Sequence, residues 1–193
     1  MIFGVDEAGR GPLAGPVVAA AVPLSKPRPS GLDDSKKLTA ARRAELEATI
    51  KRRCQWAIGV VEVEDIDRLN IFGATMLAMT LAVNALCAKL GSDPIEVLID
   101  GNMTPAGRRP EWRWPARAIV GGDAIEPCIS AASIIAKEHR DRMMYAAAQQ
   151  HPHYGWEKNK GYGTPDHMAA LQAHGPTPLH RKSFAPVAQL LLL

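Results

Sequence analysis

The sequence predicts an α/β fold: a mixed sheet flanked by helices, with a small helical region at the C-terminus. Two observations near the start carry half of this. Apolar segments at residues 2–5 and 16–23 are separated only by a Gly- and Pro-rich loop, the spacing of neighbouring strands in a hairpin. The remaining apolar, β-branched segments (residues 55–63, 95–100 and 117–120) are instead separated by stretches with helical character. Early strands as hairpins and later strands divided by helices make a mixed sheet with helices on its faces.

Each element has a local reason. The first strand delivers Asp6 and Glu7 directly into a loop of Gly9, Arg10, Gly11 and Pro12. Residues 16–23 are bounded by Pro16 and Pro23 and contain Val17, Val18 and Val22, which suits a strand. Residues 24–38 hold Pro27, Pro29, Gly31, Asp33, Asp34 and Ser35, so they read as loop. Residues 39–52 read as helix, capped by Thr39, with Leu46 and Ile50 on one face and Glu47 four residues before Lys51. After the strand at 55–63, an acidic turn at 64–67 leads to a buried helix around residues 72–90. That helix is long and apolar enough to invite a membrane reading. Gly73, Thr75, Thr80, Asn84 and Lys89 within an alternating α/β pattern favour a core helix instead.

Gly91, Ser92, Asp93 and Pro94 stop it, and the strand at 95–100 follows. Residues 105–110 are loop. The strand at 117–120 ends at Gly121, Gly122 and Asp123. Residues 128–149 are Ala-rich and free of Gly and Pro, hence one long helix. Its small residues Ser130, Ala131, Ala132, Ser133 and Ala136 let its first turns lie close against a sheet. The character changes at His151, so residues 1–150 form the core and 151–193 a basic, aromatic C-terminal region of the same domain.

A chain of 193 residues is long enough to bury a full core, and 47% hydrophobic with 22% charged residues is ordinary for a soluble globular protein. The net charge of +3 is mild but unevenly spread. Five of the six His follow residue 150, beside Lys158, Lys160, Arg181 and Lys182, with Glu157 and Asp166 as the only acids there. Such an end is either a footprint for a polyanion or simply a solvated surface. Cys54, Cys87 and Cys128 are odd in number, widely separated and form no CxxC pair, so neither a disulfide framework nor a zinc site is indicated and a reducing cytoplasm is the natural compartment. Met1 is followed at once by strand and acids, so no signal peptide is expected.

Three sheet-associated segments end in acid: Asp6 with Glu7, Asp100, and Asp123. Active sites of α/β sheets gather at the carboxyl ends of strands, where Asp100 stands before Gly101. Four carboxylates at one edge repel one another unless cations neutralise them. Two divalent ions ~4 Å apart, held by hard oxygen ligands, answer that need and serve phosphoryl displacement, one activating water and the other stabilising the leaving 3′ oxygen. Arg10, flanked by glycines, suits a phosphate. Adjacent strand residues point to opposite faces, so Asp6 and Glu7 face one site only if Glu7 lies where the strand breaks or uses its longer reach. A dinucleotide fingerprint at Gly9, Gly11 and Gly15 is disfavoured, because a strand rather than a helix follows and the acids precede the glycines. An ordinary polar turn is the commoner source of a lone Asp-Glu pair; the acids elsewhere weigh against it.

Assembled, these pieces resemble the type 2 ribonucleases H, the family of bacterial ribonuclease HII. The matching residues are 5–17 (VDEAGRGPLAGPV), Asp34-Ser35-Lys36-Lys37-Leu38, Leu98-Ile99-Asp100-Gly101, Gly122-Asp123, 130–137 (SAASIIAK) with Arg140-Asp141-Arg142, and Lys160-Gly161-Tyr162-Gly163-Thr164. The resemblance implies a ribonuclease H-like fold, with residues 1–150 as catalytic core and 151–193 as substrate-binding region. It implies hydrolysis of the RNA strand of RNA/DNA hybrids with Mg²⁺ or Mn²⁺, two ions in the active complex. It also implies incision 5′ to single ribonucleotides embedded in duplex DNA, leaving 3′-hydroxyl and 5′-phosphate ends, as in ribonucleotide excision repair. Asp6, Glu7, Asp100 and Asp123 would be the catalytic and metal-binding acids.

By the same resemblance, Gly9, Arg10 and Gly11 sense the 2′-hydroxyl, and Tyr162 stacks on the sugar of the following deoxynucleotide. The chemistry agrees: the 2′-hydroxyl distinguishes RNA from DNA, glycines permit close backbone approach, and an aromatic beside a Lys is a nucleic-acid platform. Ser35, Lys36, Lys37, Lys158, Lys160 and Arg181 are candidate backbone contacts, each singly almost as well read as a solvated polar group. The chain departs from the family pattern at Gly121, where many relatives carry Lys, at Glu138 and His139, and at residues 125–127, where Pro127 suits a helix's first turn. A binding module that has lost catalysis would lack an acid. A resolvase or a type 3 enzyme is disfavoured by the complete Gly9–Gly11 and Tyr162 motifs. No membrane partner is expected, and monomer is the default. The apolar tail at 187–193 reads as a helix packed on the core, with a segment docking on a sliding clamp as the alternative.

Overall fold

The structure, a computed structural model, describes residues 1–23, 29–33, 35 and 37–192. Five strands, β1 (Ile2–Ala8), β2 (Val17–Pro23), β3 (Ala57–Val61), β4 (Glu96–Asp100) and β5 (Ala116–Ile119), form one sheet in the order β3-β2-β1-β4-β5. The pairs β1–β2 and β2–β3 are antiparallel, whereas β1–β4 and β4–β5 are parallel. The sheet is mixed, as the order of elements predicts.

Side-chain alternation divides the core between two faces. Phe3, Val5, Val17, Ala19, Val97 and Ile99 pack against the long helix α2 (Val63–Leu90). Val18, Ala20 and Val22 pack instead against α1 (Ala40–Arg53) and against a helix numbered α4 below, at Pro127–Gln150. Between β5 and that helix lies one short turn, α3 (Gly122–Ile125). The small residues of α4 bring it into contact with the sheet backbone. A Cβ added to Gly4 would stand 2.3 Å from the Cys128 carbonyl carbon, so only glycine fits there.

The third strand is shorter than the expected 55–63, because α2 already starts at Val63. The acidic residues 64–67 are its first turn, where Glu64 and Asp65 meet the positive end of the helix dipole. The interruption comes at Asn70, in the left-handed region at φ 58°, whose side-chain oxygen accepts the N–H groups of Phe72 (2.9 Å) and Gly73 (3.1 Å). A capping asparagine therefore restarts the helix near the expected position. Although α2 meets the length and composition of a membrane span, Ile66, Met79, Val83 and Leu86 on one side are buried against the sheet.

Beyond residue 150 come a 3₁₀ turn (Pro152–Tyr154), α5 (Trp156–Asn159), α6 (Pro165–His174) and α7 (Ala185–Leu190). They bury Tyr154, Trp156, Leu171 and Val187 with Leu13 and Ala14 of the loop after β1. The C-terminal region thus packs onto the acid-bearing loop, and α7 packs on the core, as expected of the tail. Lys36, expected as a substrate contact, and Asp34 of the same motif lie outside the described residues.

Candidate active site

Val5 of β1 lies opposite Ile99 of β4 in parallel register, so Asp6 and Asp100 occupy the next positions along neighbouring strands. Asp6 lies on the face of Gly4, towards α4, where it shares a cavity with Ser133. Asp100 ends β4, and Gly101, at φ 98°, turns the chain away. Gly121 in the left-handed region starts α3, so that Asp123 N–H donates to Asp100 Oδ1 at 3.3 Å. One carboxylate oxygen from each of Asp6, Asp100 and Asp123 lies within 4.8 Å of the others.

Glu7 is not part of that triad. Alternation sends it to the α2 side, where it lines a second cavity with Phe72, Thr75, Met76 and Asp100. One of its oxygens pairs with Arg10 at 3.2 Å, while Oε2 is buried with no hydrogen-bond partner among the described residues. Glu7 also lines the cavity that holds Asp6. The acids therefore straddle the sheet end, which answers how two adjacent strand residues serve one region.

Burial, followed by the neighbouring carboxylates Glu7 and Asp100, pushes Asp6 well above the usual carboxylate range. The Glu7 N–H, 2.7 Å from Asp6 Oδ1, offsets only part of this. Converging carboxylates and an orphaned buried oxygen are what a divalent-cation centre needs. An all-oxygen donor set fits Mg²⁺ or Mn²⁺ better than a soft metal.

The cavity beside Asp6, about 250 Å³, brings together Gly9, Arg10, Gly11, Ser35 and Tyr162, all expected from the sequence. Tyr162 is 48% exposed, and a Cβ on Gly11 would come within 3.4 Å of its ring. Ser133, Lys137 and Arg140 complete the lining and were not singled out as site residues by sequence reasoning. Their signal was a helix of small residues placed to touch the sheet, with Ser133 and Lys137 one turn apart.

Within that lining Ser35 is buried, its hydroxyl 2.8 Å from that of Ser133, so it braces the cavity wall. Other expected contacts stand elsewhere. Lys37 is exposed, pairs with Asp33 at 3.5 Å and is absent from the cavity lining. Lys160 turns its ammonium over the Tyr145 ring, 3.8 Å from the centroid, and onto the Glu157 carbonyl.

Arg181 corrects the sequence reading outright. It is fully buried and donates to the carbonyls of Gly9, Arg10 (2.9 Å), Gly15 (2.8 and 3.0 Å) and Pro16 (3.3 Å). Arg140 does the same for Ala14 (3.0 Å), Pro16 (2.9 Å) and Lys160 (3.0 Å). Burial lowers Arg140 to about 10 and Arg181 to about 9, so both stay charged at neutral pH. The loop's inward-facing carbonyls need donors, and a guanidinium offers five in a rigid fork.

The chain matches the family model described as Ribonuclease HII over residues 3–187. It is 80% identical to the Ribonuclease HII of Novosphingobium aromaticivorans over 193 residues, covering 99% of this chain and 98% of that protein. The Ribonuclease HII of Erythrobacter litoralis is 69% identical, with 97% and 89% covered. Among solved structures, the ribonuclease H2 from Pyrococcus horikoshii OT3 shares the fold, with a TM-score of 0.77, 24% identity and coverage of 98% and 96%. The RNase HII in the PCNA:RNase HII complex from Archaeoglobus fulgidus gives 0.73 at 26% identity, covering 94% and 93%.

Proposed function

Because the chain belongs to the ribonuclease HII family, and is thus a type 2 ribonuclease H that hydrolyses phosphodiester bonds by two-metal-ion chemistry, we propose that it cuts at ribonucleotides paired with DNA. Its substrates are the RNA strand of RNA/DNA hybrids and single ribonucleotides in duplex DNA. Incision falls 5′ to the ribonucleotide and leaves 3′-hydroxyl and 5′-phosphate ends. The observation that carries this reading is the convergence of Asp6, Asp100 and Asp123 beside one cavity shared by Glu7, the Gly9–Gly11 loop and Tyr162.

Asp6, Glu7, Asp100 and Asp123 hold the two divalent ions, Mg²⁺ or Mn²⁺. When bound, such ions supply a nucleophile at neutral pH and stabilise charge on the leaving oxygen. The chain's own groups place the scissile bond. Gly9 and Gly11 let the backbone approach the 2′-hydroxyl, Arg10, half-exposed, neutralises a phosphate, and the Tyr162 ring packs on the next deoxyribose. Residues 1–150 supply the acids, and 151–193 supply Tyr162 and its support. Buried thiols at Cys54, Cys87 and Cys128, none of them in a disulfide, suit the reducing cytoplasm, where the chain acts as a monomer. A sliding clamp is a further proposed partner by analogy with the Archaeoglobus fulgidus complex, and exposed Leu191 and Leu192 are the residues it would take.

The test is end mapping on two labelled duplexes, one with a single ribonucleotide and one a uniform hybrid. Cutting of both in Mg²⁺ or Mn²⁺, with 3′ ends that a polymerase extends, is the expected result. Cutting of neither in either metal would sink the reading.

A further inference from the structure

Tyr162 stands between α5 and α6, outside any regular element. Its N–H donates to the Asn159 carbonyl at 2.9 Å, and its carbonyl accepts from Thr164 N–H at 2.8 Å. The same carbonyl lies 2.8 Å from Nδ1 of His167, in the first turn of α6. His167 is fully buried, and its Nε2 is 3.1 Å from Trp156 Nε1 and 3.1 Å from His180 Nε2. His180, also fully buried, has the Thr177 N–H 2.9 Å from its Nδ1. Its backbone bridges Ala14, inside the loop that begins with Gly9, Arg10 and Gly11. The flanking bonds Gly15 N–H to Leu179 carbonyl and Arg181 N–H to Leu13 carbonyl, each 2.8 Å, fix that junction.

One arrangement of protons satisfies the whole chain. Thr177 N–H can only donate, so His180 Nδ1, which also has the Thr177 hydroxyl 3.0 Å away, accepts and His180 Nε2 carries its hydrogen. Trp156 Nε1 can only donate, so His167 Nε2 carries no hydrogen, and its one lone pair is shared between Trp156 Nε1–H and His180 Nε2–H. His167 Nδ1 then carries the hydrogen given to the Tyr162 carbonyl. Burial favours the neutral form of both imidazoles. Neither ring lines the cavity beside Asp6.

We propose that His167 and His180 are positioning residues that hold Tyr162 at a fixed offset from the Gly9–Arg10–Gly11 loop, and so set the preference for an RNA–DNA junction over continuous RNA. The inference rests on the roles given to Tyr162 and that loop under the proposed function. Its logic is that the two readout elements belong to separate parts of the chain. One end of the relay is pinned to the first loop at Ala14, and the other to the second at Tyr162.

The experiment measures kcat and KM for the parent, His167→Ala and His167→Asn on a single-ribonucleotide duplex and on a uniform hybrid. Loss of the bond is expected to cost His167→Ala about tenfold in kcat/KM on the former and no more than about threefold on the latter, since misplacement penalises the substrate that needs both elements. Asparagine offers an N–H near the place of Nδ1, so His167→Asn is expected to recover most of the lost ratio. A parallel fall on both substrates, or an unchanged ratio, overturns the inference. A parent that cuts neither duplex refutes the proposed function and this inference together, whereas a parent that cuts both with a ratio untouched by His167→Ala refutes the inference alone. Nitrogen NMR of the imidazoles in the parent gives a second readout that needs no variant to fold. His167 as the Nδ1–H tautomer and His180 as Nε2–H support it, and the opposite tautomer at either position overturns it.

Discussion

Arg181→Met separates a buried brace from a substrate contact. The guanidinium is fully buried, and methionine fills much of its stem volume while offering no donor. Pro16 keeps a partner in Arg140, 2.9 Å from its carbonyl, but Gly9, Arg10 and Gly15 lose the bonds that Arg181 gives them. Leaving a buried acceptor unsatisfied costs roughly 1–3 kcal/mol, and these three are neighbours that relax together, so about 3–5 kcal/mol is expected. For a chain of this size that is a fall in Tm of roughly 10 °C. The assay is thermal unfolding followed by circular dichroism, with Arg10→Met as comparison. Arg10 is half-exposed, so Arg10→Met should melt within about 2 °C of the parent and bind duplex more weakly, with a salt dependence reduced by about one phosphate. An Arg181→Met variant that melts with the parent and loses only duplex affinity would refute the brace.

Three further outcomes follow from the same structure. Gly4→Ala places a Cβ 2.3 Å from the α4 backbone, so it should destabilise the fold by about 3 kcal/mol or more in urea unfolding; a loss below about 1 kcal/mol would show that α4 can retreat. Burial, reinforced by the like charges of His167 and His151, lowers His180 to about 4 from an ordinary 6.5. As pH falls below about 6.5 the unfolded chain takes up that proton first, so this contribution to stability is complete above 6.5 and lost on the way to about pH 4. His180→Asn should therefore flatten the parent's Tm decline between pH 7 and 5, and identical slopes would contradict the assignment. Finally, Mn²⁺ at a hundred times its Kd should stabilise the parent by about 2.7 kcal/mol, and much less so Asp123→Asn. Equal shifts in both would place the metal elsewhere.

The sequence made the acids legible because each ends a strand or follows a glycine turn, and chain order alone brings such ends to one sheet edge. The hairpin, the core helix α2 and the Ala-rich α4 were legible for similar reasons of period and composition. Long-range effects were not. Arg181 reads as one basic residue in a basic tail, and only the fold reveals that its donors meet carbonyls some 170 residues earlier. His167 and His180 enlarged the apparent basic footprint, yet burial holds them neutral. The interruption at Asn70 was hidden because the acidic turn before it suits a helix start as well as a loop. The separation of Asp6 from Glu7 follows from strand alternation, but its consequence, a site with two sides, needed the positions of α2 and α4.

The most direct measurement is incision of a duplex carrying one internal ribonucleotide by the parent and by Asp100→Asn, in Mn²⁺ and in EDTA, with duplex binding followed in parallel. If the carboxylates form the metal centre, only the parent in Mn²⁺ cuts on the 5′ side, while Asp100→Asn still binds. Undiminished cutting by Asp100→Asn, or cutting in EDTA, would contradict it.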